Sequence, residues 1–162
     1  MAVLSADANV SLVGGNPAKI SGPAAIADTY WGGAILVALN VHTTGCVSCV
    51  PTSGTAERIL GICSKKQIIA AQYDLVEYYV GGIWLIPAIA TIDKTEIGSY
   101  LVIDKSGTPT DNVADLLGSG DITPASGDAI FGRIVGLDAA SNIYVDCNLM
   151  GAVMTVTTLA LM

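Results

Sequence analysis

Charge is scarce in this chain. Of its 162 residues only 13% are Asp, Glu, Lys or Arg, where soluble domains average about 25%. Spread over a folded surface of roughly 7,500 Å² for a chain of this mass, the 7 bases and 14 acids leave much of the exterior to Ala, Gly, Ser, Thr and aliphatic side chains. Such a surface is expected on a subunit of an assembly or on a membrane protein, and rarely on a solitary monomer.

Long apolar runs are missing too. The longest uncharged stretch, residues 29–56, is broken by Asn40, His42, Thr43, Thr44, Gly45 and Pro51, which leaves 34–39 as its continuous apolar core. Residues 78–92 are interrupted by Gly81, Gly82 and Pro87, and residues 147–162 are rich in β-branched Val and Thr. None supplies the roughly 20 apolar residues of a spanning helix, so no membrane partner is expected. The opening Met1-Ala-Val-Leu-Ser has no basic region and Asp7 follows closely, so no secretory signal is read there and folding in a cytoplasm is expected.

Basic clusters are absent beyond the pair Lys65-Lys66. With a net charge of −7 and a pI near 4.3, the chain repels phosphate backbones, and nucleic acid is excluded as an expected partner. The acidity is uneven. Residues 1–81 carry four bases and five acids, whereas residues 82–162 carry three bases and nine acids, which points to the second half as the more solvated.

Catalytic anchors are equally scarce. There is one histidine, His42, at the end of an apolar run. Asp28 and Glu57 lie at comparable distances on either side, but no second motif accompanies it. No Gly-x-Ser-x-Gly elbow, phosphate loop or dinucleotide fingerprint occurs. Most aspartates sit in turn contexts, such as Asp104-Lys-Ser-Gly107 and Asp138-Ala-Ala-Ser141, where the carboxylate bonds its own backbone. The polar interval 104–128 holds five Asp but no calcium-loop spacing.

Four cysteines remain. Cys46-Val-Ser-Cys49 has metal or redox spacing, and Cys63 and Cys147 would complete four thiolates. Against a metal site, 46–51 reads as a strand, on which side chains three apart point to opposite faces, and no second Cys-x-x-Cys exists. Buried reduced thiols are the simpler reading. No residue is assigned a catalytic, cofactor-binding or metal-ligating role, and no cofactor is expected. Trp31, Trp84 and the six tyrosines read as core or interface anchors.

What the chain does have is glycine, 18 residues of it, with 6 prolines and β-branched residues throughout. That composition predicts many short strands separated by turns. Strands are expected at 34–41, 46–51, 58–64, 67–72 (or a short helix there), 73–80 and 83–90, with Gly81-Gly82 as a two-residue hairpin turn between the last two. Pro87 marks 83–90 as an edge strand or a bulge. A strand from 97 runs into a polar turn by 107, residues 108–128 form a loop carrying a short helix, and 129–137 with 143–149 form a hairpin.

The phrases Arg58-Ile-Leu-Gly-Ile-Cys63, Val80-Gly-Gly-Ile-Trp-Leu-Ile86, Ile97-Gly-Ser-Tyr-Leu-Val-Ile-Asp-Lys-Ser-Gly107 and Gly127-Asp-Ala-Ile-Phe-Gly-Arg-Ile-Val-Gly-Leu-Asp138 resemble the small β-barrel cement or decoration proteins of tailed-phage capsids. The resemblance covers residues 28–150 and is one of composition and spacing; the long N-terminal segment and the 108–128 insertion depart from the shorter members of the family. It implies an all-β fold, a small β-barrel or sandwich at 28–150, with an extended N-terminal arm at 1–27 and a C-terminal strand or arm at 151–162. It further implies a non-enzymatic virion protein on the capsid surface, assembled in the host cytoplasm as a homo-oligomer, commonly a trimer, on the major capsid protein. A tail or fibre-base protein, or a small ligand-binding barrel using His42, are the alternative expectations.

Overall fold

The structure is a computed structural model that describes residues 7, 10–38, 47–48, 58–86, 94–103, 129–140 and 142–152. It is all-β. The strands are β1 (Ser11–Gly14), β2 (Ala18–Pro23), β3 (Thr29–Tyr30), β4 (Ile35–Ala38), β5 (Val47–Ser48), β6 (Arg58–Cys63), β7 (Gln67–Ile68), β8 (Leu75–Val80), β9 (Ile83–Ile86), β10 (Tyr100–Ile103), β11 (Ala129–Leu137) and β12 (Ile143–Asp146). Among the described residues there is no α-helix, only a 3₁₀ turn at Lys94–Glu96.

Most of the first half is one antiparallel ribbon. Residues 11–38 run against residues 58–85: Ser11 faces Leu85, Ala18 faces Val80, Pro23 faces Leu75, Thr29 faces Ile68, Ile35 faces Ile62 and Ala38 faces Arg58. Between the strands the ladder is carried on by backbone bonds such as Ala24 N to Asp74 O, Ile69 N to Asp28 O and Cys63 N to Ala34 O. The ribbon turns where both of its chains carry small or turn-forming residues. At the first corner, Gly14-Gly15-Asn16-Pro17 lies against Gly81-Gly82. A Cβ on Gly15 would stand 3.0 Å from the Gly82 Cα, and Gly81 and Gly82 hold φ values of +83° and +84° that a side chain would oppose.

That corner moves the ribbon from one sheet to another, the device by which strands turn the edge of an orthogonal sandwich. β1 and β9 belong to a five-stranded sheet of order β1-β9-β12-β11-β10, whereas β2 and β8 belong to a second of order β2-β8-β6-β4-β5. The remaining pair, β3-β7, forms a small sheet at the next bend. There the ribbon folds back, so that β6 pairs with β8 through Ile62–Tyr79 and Cys63–Tyr78. Gly61 permits this approach, because a Cβ would collide with the Tyr79 carbonyl oxygen and the Tyr78 ring.

Two hydrophobic clusters lie on opposite faces of the second sheet. Ile35, Ile59 and Ile62 pack with Trp84, Ile86, Leu101, Phe131, Ile134, Ile143, Val145 and Cys147 between the two large sheets. Leu36, Cys63, Val76 and Tyr78 pack on the other face with Ala24, Tyr30, Ala34 and Ile69. Neighbours such as Ile35 and Leu36, or Ile62 and Cys63, thus point opposite ways, as a pleated strand requires. Ile59 and Ile62 share a face despite being three apart because the register shifts between Leu36 and Val37, a bulge that absorbs one residue of β6.

Three expectations from the sequence change. Gly81-Gly82 is not a hairpin turn, since β8 and β9 lie in different sheets. The glycines supply the positive φ such a turn uses, but here they bend a ribbon whose partners are β2 and β1. Next, β9 is an interior strand over Ile83–Ile86, with β1 and β12 as neighbours, and Pro87 lies outside the described residues. Third, 67–72 is neither a full strand nor a helix: β7 has two residues and the chain then turns through Tyr73, at φ +75°.

The 129–149 hairpin forms as expected, with β11 and β12 paired. Its loop is closed by Asp138, whose Oδ1 accepts from the N–H groups of Ala140 and Asn142 while Oδ2 accepts from the Asn142 amide. Within the segment read as an N-terminal arm, residues 11–14 and 18–23 are the edge strands β1 and β2. The loop expected at 108–128 and the terminal strand beyond Ala152 lie outside the described residues.

Candidate functional site

Among the described residues, the side chains that bear chemistry lie apart. His42, Cys46 and Cys49 lie outside the described residues. Cys63 and Cys147 are both buried, but one belongs to each hydrophobic cluster. Burial pushes the Cys63 thiol up, against the lowering effect of the Gln67 amide that donates to it at 3.3 Å. Burial, followed by the nearby Asp146 carboxylate, pushes the Cys147 thiol up further still. Neither is a ready thiolate. Among the described residues no group of three or more His, Cys, Asp or Glu could hold a metal ion.

A recess of about 420 Å³ lies beside the first corner of the ribbon, lined in part by Asp7, Leu12, Gly32, Lys65, Tyr79 and Trp84. Its floor is aromatic. Tyr79 and Trp84 stack with centroids 5.9 Å apart and planes tilted by 48°, and the Trp84 indole N–H is spent on the Gly81 carbonyl at 2.8 Å. One wall is glycine: the Gly32 N–H donates to Asp7 Oδ1 at 2.8 Å, and a Cβ there would come within 3.1 Å of that oxygen and 3.2 Å of the Lys65 Cα.

Charge gathers around Glu77. Glu77 Oε2, shielded from solvent, stands 3.1 Å from Lys19 Nζ and 3.9 Å from Lys65 Nζ. Both lysines are largely exposed, so each contact contributes about 0–1 kcal/mol. The Glu77 backbone is held more firmly. Its N–H donates to Gln67 Oε1 at 2.8 Å and its C=O accepts from Gln67 Nε2 at 2.9 Å, so the Gln67 side chain pairs with β8 as a strand would. Nearby, Lys66 Nζ sits 4.4 Å from the centre of the Trp31 ring.

The second feature is the outer strand of the ribbon. Leu12, Val13 and Ile20 are exposed on β1 and β2, each the last strand of its sheet. At the bend beyond them Ile26, Ile68, Tyr73 and Leu75 are exposed as well, Ile68 by 76% and Leu75 by 64%. Of the aromatic anchors read from the sequence, Tyr30, Tyr78 and Trp84 are buried and Tyr73 is exposed.

No protein-family model matches the chain, and no curated protein matches it in sequence. Its chemistry is therefore argued from its own residues. Sequence reasoning missed the cavity because its lining comes from five separate stretches of chain.

Proposed function

We propose that the protein is a structural virion component, a capsid cement or decoration protein that works by adding contact area between shell subunits. The observation that carries this reading is the outer strand of the ribbon: Leu12, Val13 and Ile20 stand exposed on β1 and β2, which end their sheets among the described residues, in a chain with only 13% charged residues. Natural sheets usually guard such edges with charge. Here the one charged residue from Ser11 to Pro23 is Lys19, already paired with Glu77. An edge of this kind is suited to receive a neighbouring chain.

On this reading the sheets assemble into a small barrel-like subunit, residues 1–27 and 151–162 reach neighbouring chains, and three copies form a closed symmetric unit on the major capsid protein. The exposed Ile68 and Leu75 would then be covered by a neighbour, and the acidic second half would face solvent.

Purified particles test this through copy number. Hundreds of copies per particle are expected, with a solution mass three times 16.5 kDa. A handful of copies would favour a tail or fibre-base component instead, and absence from particles would overturn the virion assignment.

A further inference from the structure

The strand β2 carries a pattern that neither hydrophobic cluster explains. Its pairing with β8 sets Ala18 against Val80, Ser21 against Glu77 and Pro23 against Leu75. In an antiparallel ladder alternate residues turn their N–H and C=O groups toward the partner, and the residues between turn theirs away. The Ala24 N–H donates to Asp74 O, so the even-numbered residues of β2 face β8. Glu77 agrees: opposite Ser21, it spends its N–H and C=O on Gln67 and Ser64, on the side of β8 away from β2. Lys19 and Ser21 therefore present their backbone groups outward, and Ala18 to Ser21 are all exposed.

Both ends of this open stretch are closed. Pro17 and Pro23 stand three residues to either side of Ile20, in the same outward alternation, and neither has an N–H to give. Proline in such places blunts a sheet edge. Between them only the donors of Lys19 and Ser21 stay open, and one antiparallel register between two copies of β2 satisfies both. Centred on Ile20, it sets Lys19 against Ser21 of the second copy and Ser21 against its Lys19, each pair exchanging N–H and C=O. Centred on Lys19, the ladder would oppose two lysines, a like-charge pair, and set Ser21 against Pro17. Centred on Ser21, it would set Lys19 against Pro23. The Ile20 register also places the two Ile20 side chains, each 41% exposed, at the closely spaced position without hydrogen bonds, where side chains meet best, with Ala18 facing Gly22 on either side.

We infer that β2 pairs antiparallel with β2 of a second copy of this chain, about a twofold axis at Ile20, joining two five-stranded sheets into one. The inference stands apart from the capsid reading, because the same contact joins two single chains or two threefold units.

Cysteine linking of the whole chain tests it. Ile20→Cys, at an exposed position, brings two thiols together across the axis, within the Cα separation that a disulfide spans. Under copper–phenanthroline oxidation a linked pair is expected on a non-reducing denaturing gel, with the parent chain and its own 4 cysteines as the background. Ser21→Cys is also exposed but lies diagonal to itself in this register, and is expected to link roughly tenfold more slowly. Mixed with Lys19→Cys, which the register sets opposite, it is expected to link faster than either variant alone. Three outcomes would each overturn the assignment: no linked pair from Ile20→Cys, Ser21→Cys linking to itself as fast as Ile20→Cys, or a mixture no faster than its components.

Discussion

The two hydrophobic clusters differ in what surrounds them. The inter-sheet cluster is closed on both faces by five-stranded sheets and filled with large side chains, among them Phe131, Trp84 and six isoleucines. Among the described residues, the second has a five-stranded sheet on one side and the small β3-β7 sheet with its flanking bends on the other, and it is filled with Ala24, Ala34, two tyrosines and a thiol, with Leu36, Ile69 and Val76. Burial stabilises in proportion to the apolar area removed from water, so the first cluster carries the greater share. The second depends instead on close backbone approach and polar pairing, through Gly61 and Gln67. One region is held by volume and the other by fit.

Removing volume should therefore have the largest effect. Ile134→Ala, at a fully buried position, is expected to cost roughly 2–5 kcal/mol, read as a lowered midpoint in urea unfolding with an unchanged slope.

Gly61→Ala attacks fit. The added methyl meets the Tyr79 carbonyl and the Tyr78 ring, at an expected cost of roughly 1–3 kcal/mol. Native-state hydrogen exchange sharpens the contrast: amides of β6 and β8 should lose protection while those of β11 and β12 keep it. Equal loss in both would show that the clusters open as one unit.

Gln67→Leu leaves the Glu77 N–H without its side-chain partner, while the C=O keeps the Ser64 N–H and hydroxyl, and is expected to cost roughly 1–3 kcal/mol where that N–H stays shielded from water. The same exchange experiment should report it on β8 first.

The smallest effect is a titration. Bonds from the Asn142 side chain and backbone, then from Ala140, hold the Asp138 carboxyl below the usual carboxylate range. A carboxyl lowered on folding contributes its stability above the unfolded value, near 3.9, and loses it as pH falls through the folded value. Asn142→Ala should move the Asp138 carboxyl resonance back toward the ordinary value without changing the global unfolding midpoint at neutral pH. The buried thiols act with the opposite sense: the folded chain keeps protons that the unfolded chain releases near pH 8.5, so stability should decline as pH rises above that value.

Strand positions were readable wherever a β-branched run met a glycine or an Asx turn. β4, β6, β8 and the β11–β12 hairpin all fall where that pattern places them, and Asp138 makes its turn as its type predicts. What failed was pairing. Gly81-Gly82 has the composition of a hairpin turn, and only the presence of β1 and β2 alongside makes it a corner between sheets. Ile59 and Ile62, three apart, share a face only through the bulge beside Gly61, which the 58–64 run does not announce.

The sequence by itself determined the class of structure and the poverty of charge, because both are sums over local composition. Only the tertiary structure decided that residues 11–38 and 58–85 form one folded ribbon, which of the described strands end their sheets, and that Gly32, Lys65 and Trp84 line one recess. Those depend on contacts between residues tens of positions apart. Their register is chosen by the joint burial of two clusters and by the few places where glycine lets backbones meet, which no local pattern records.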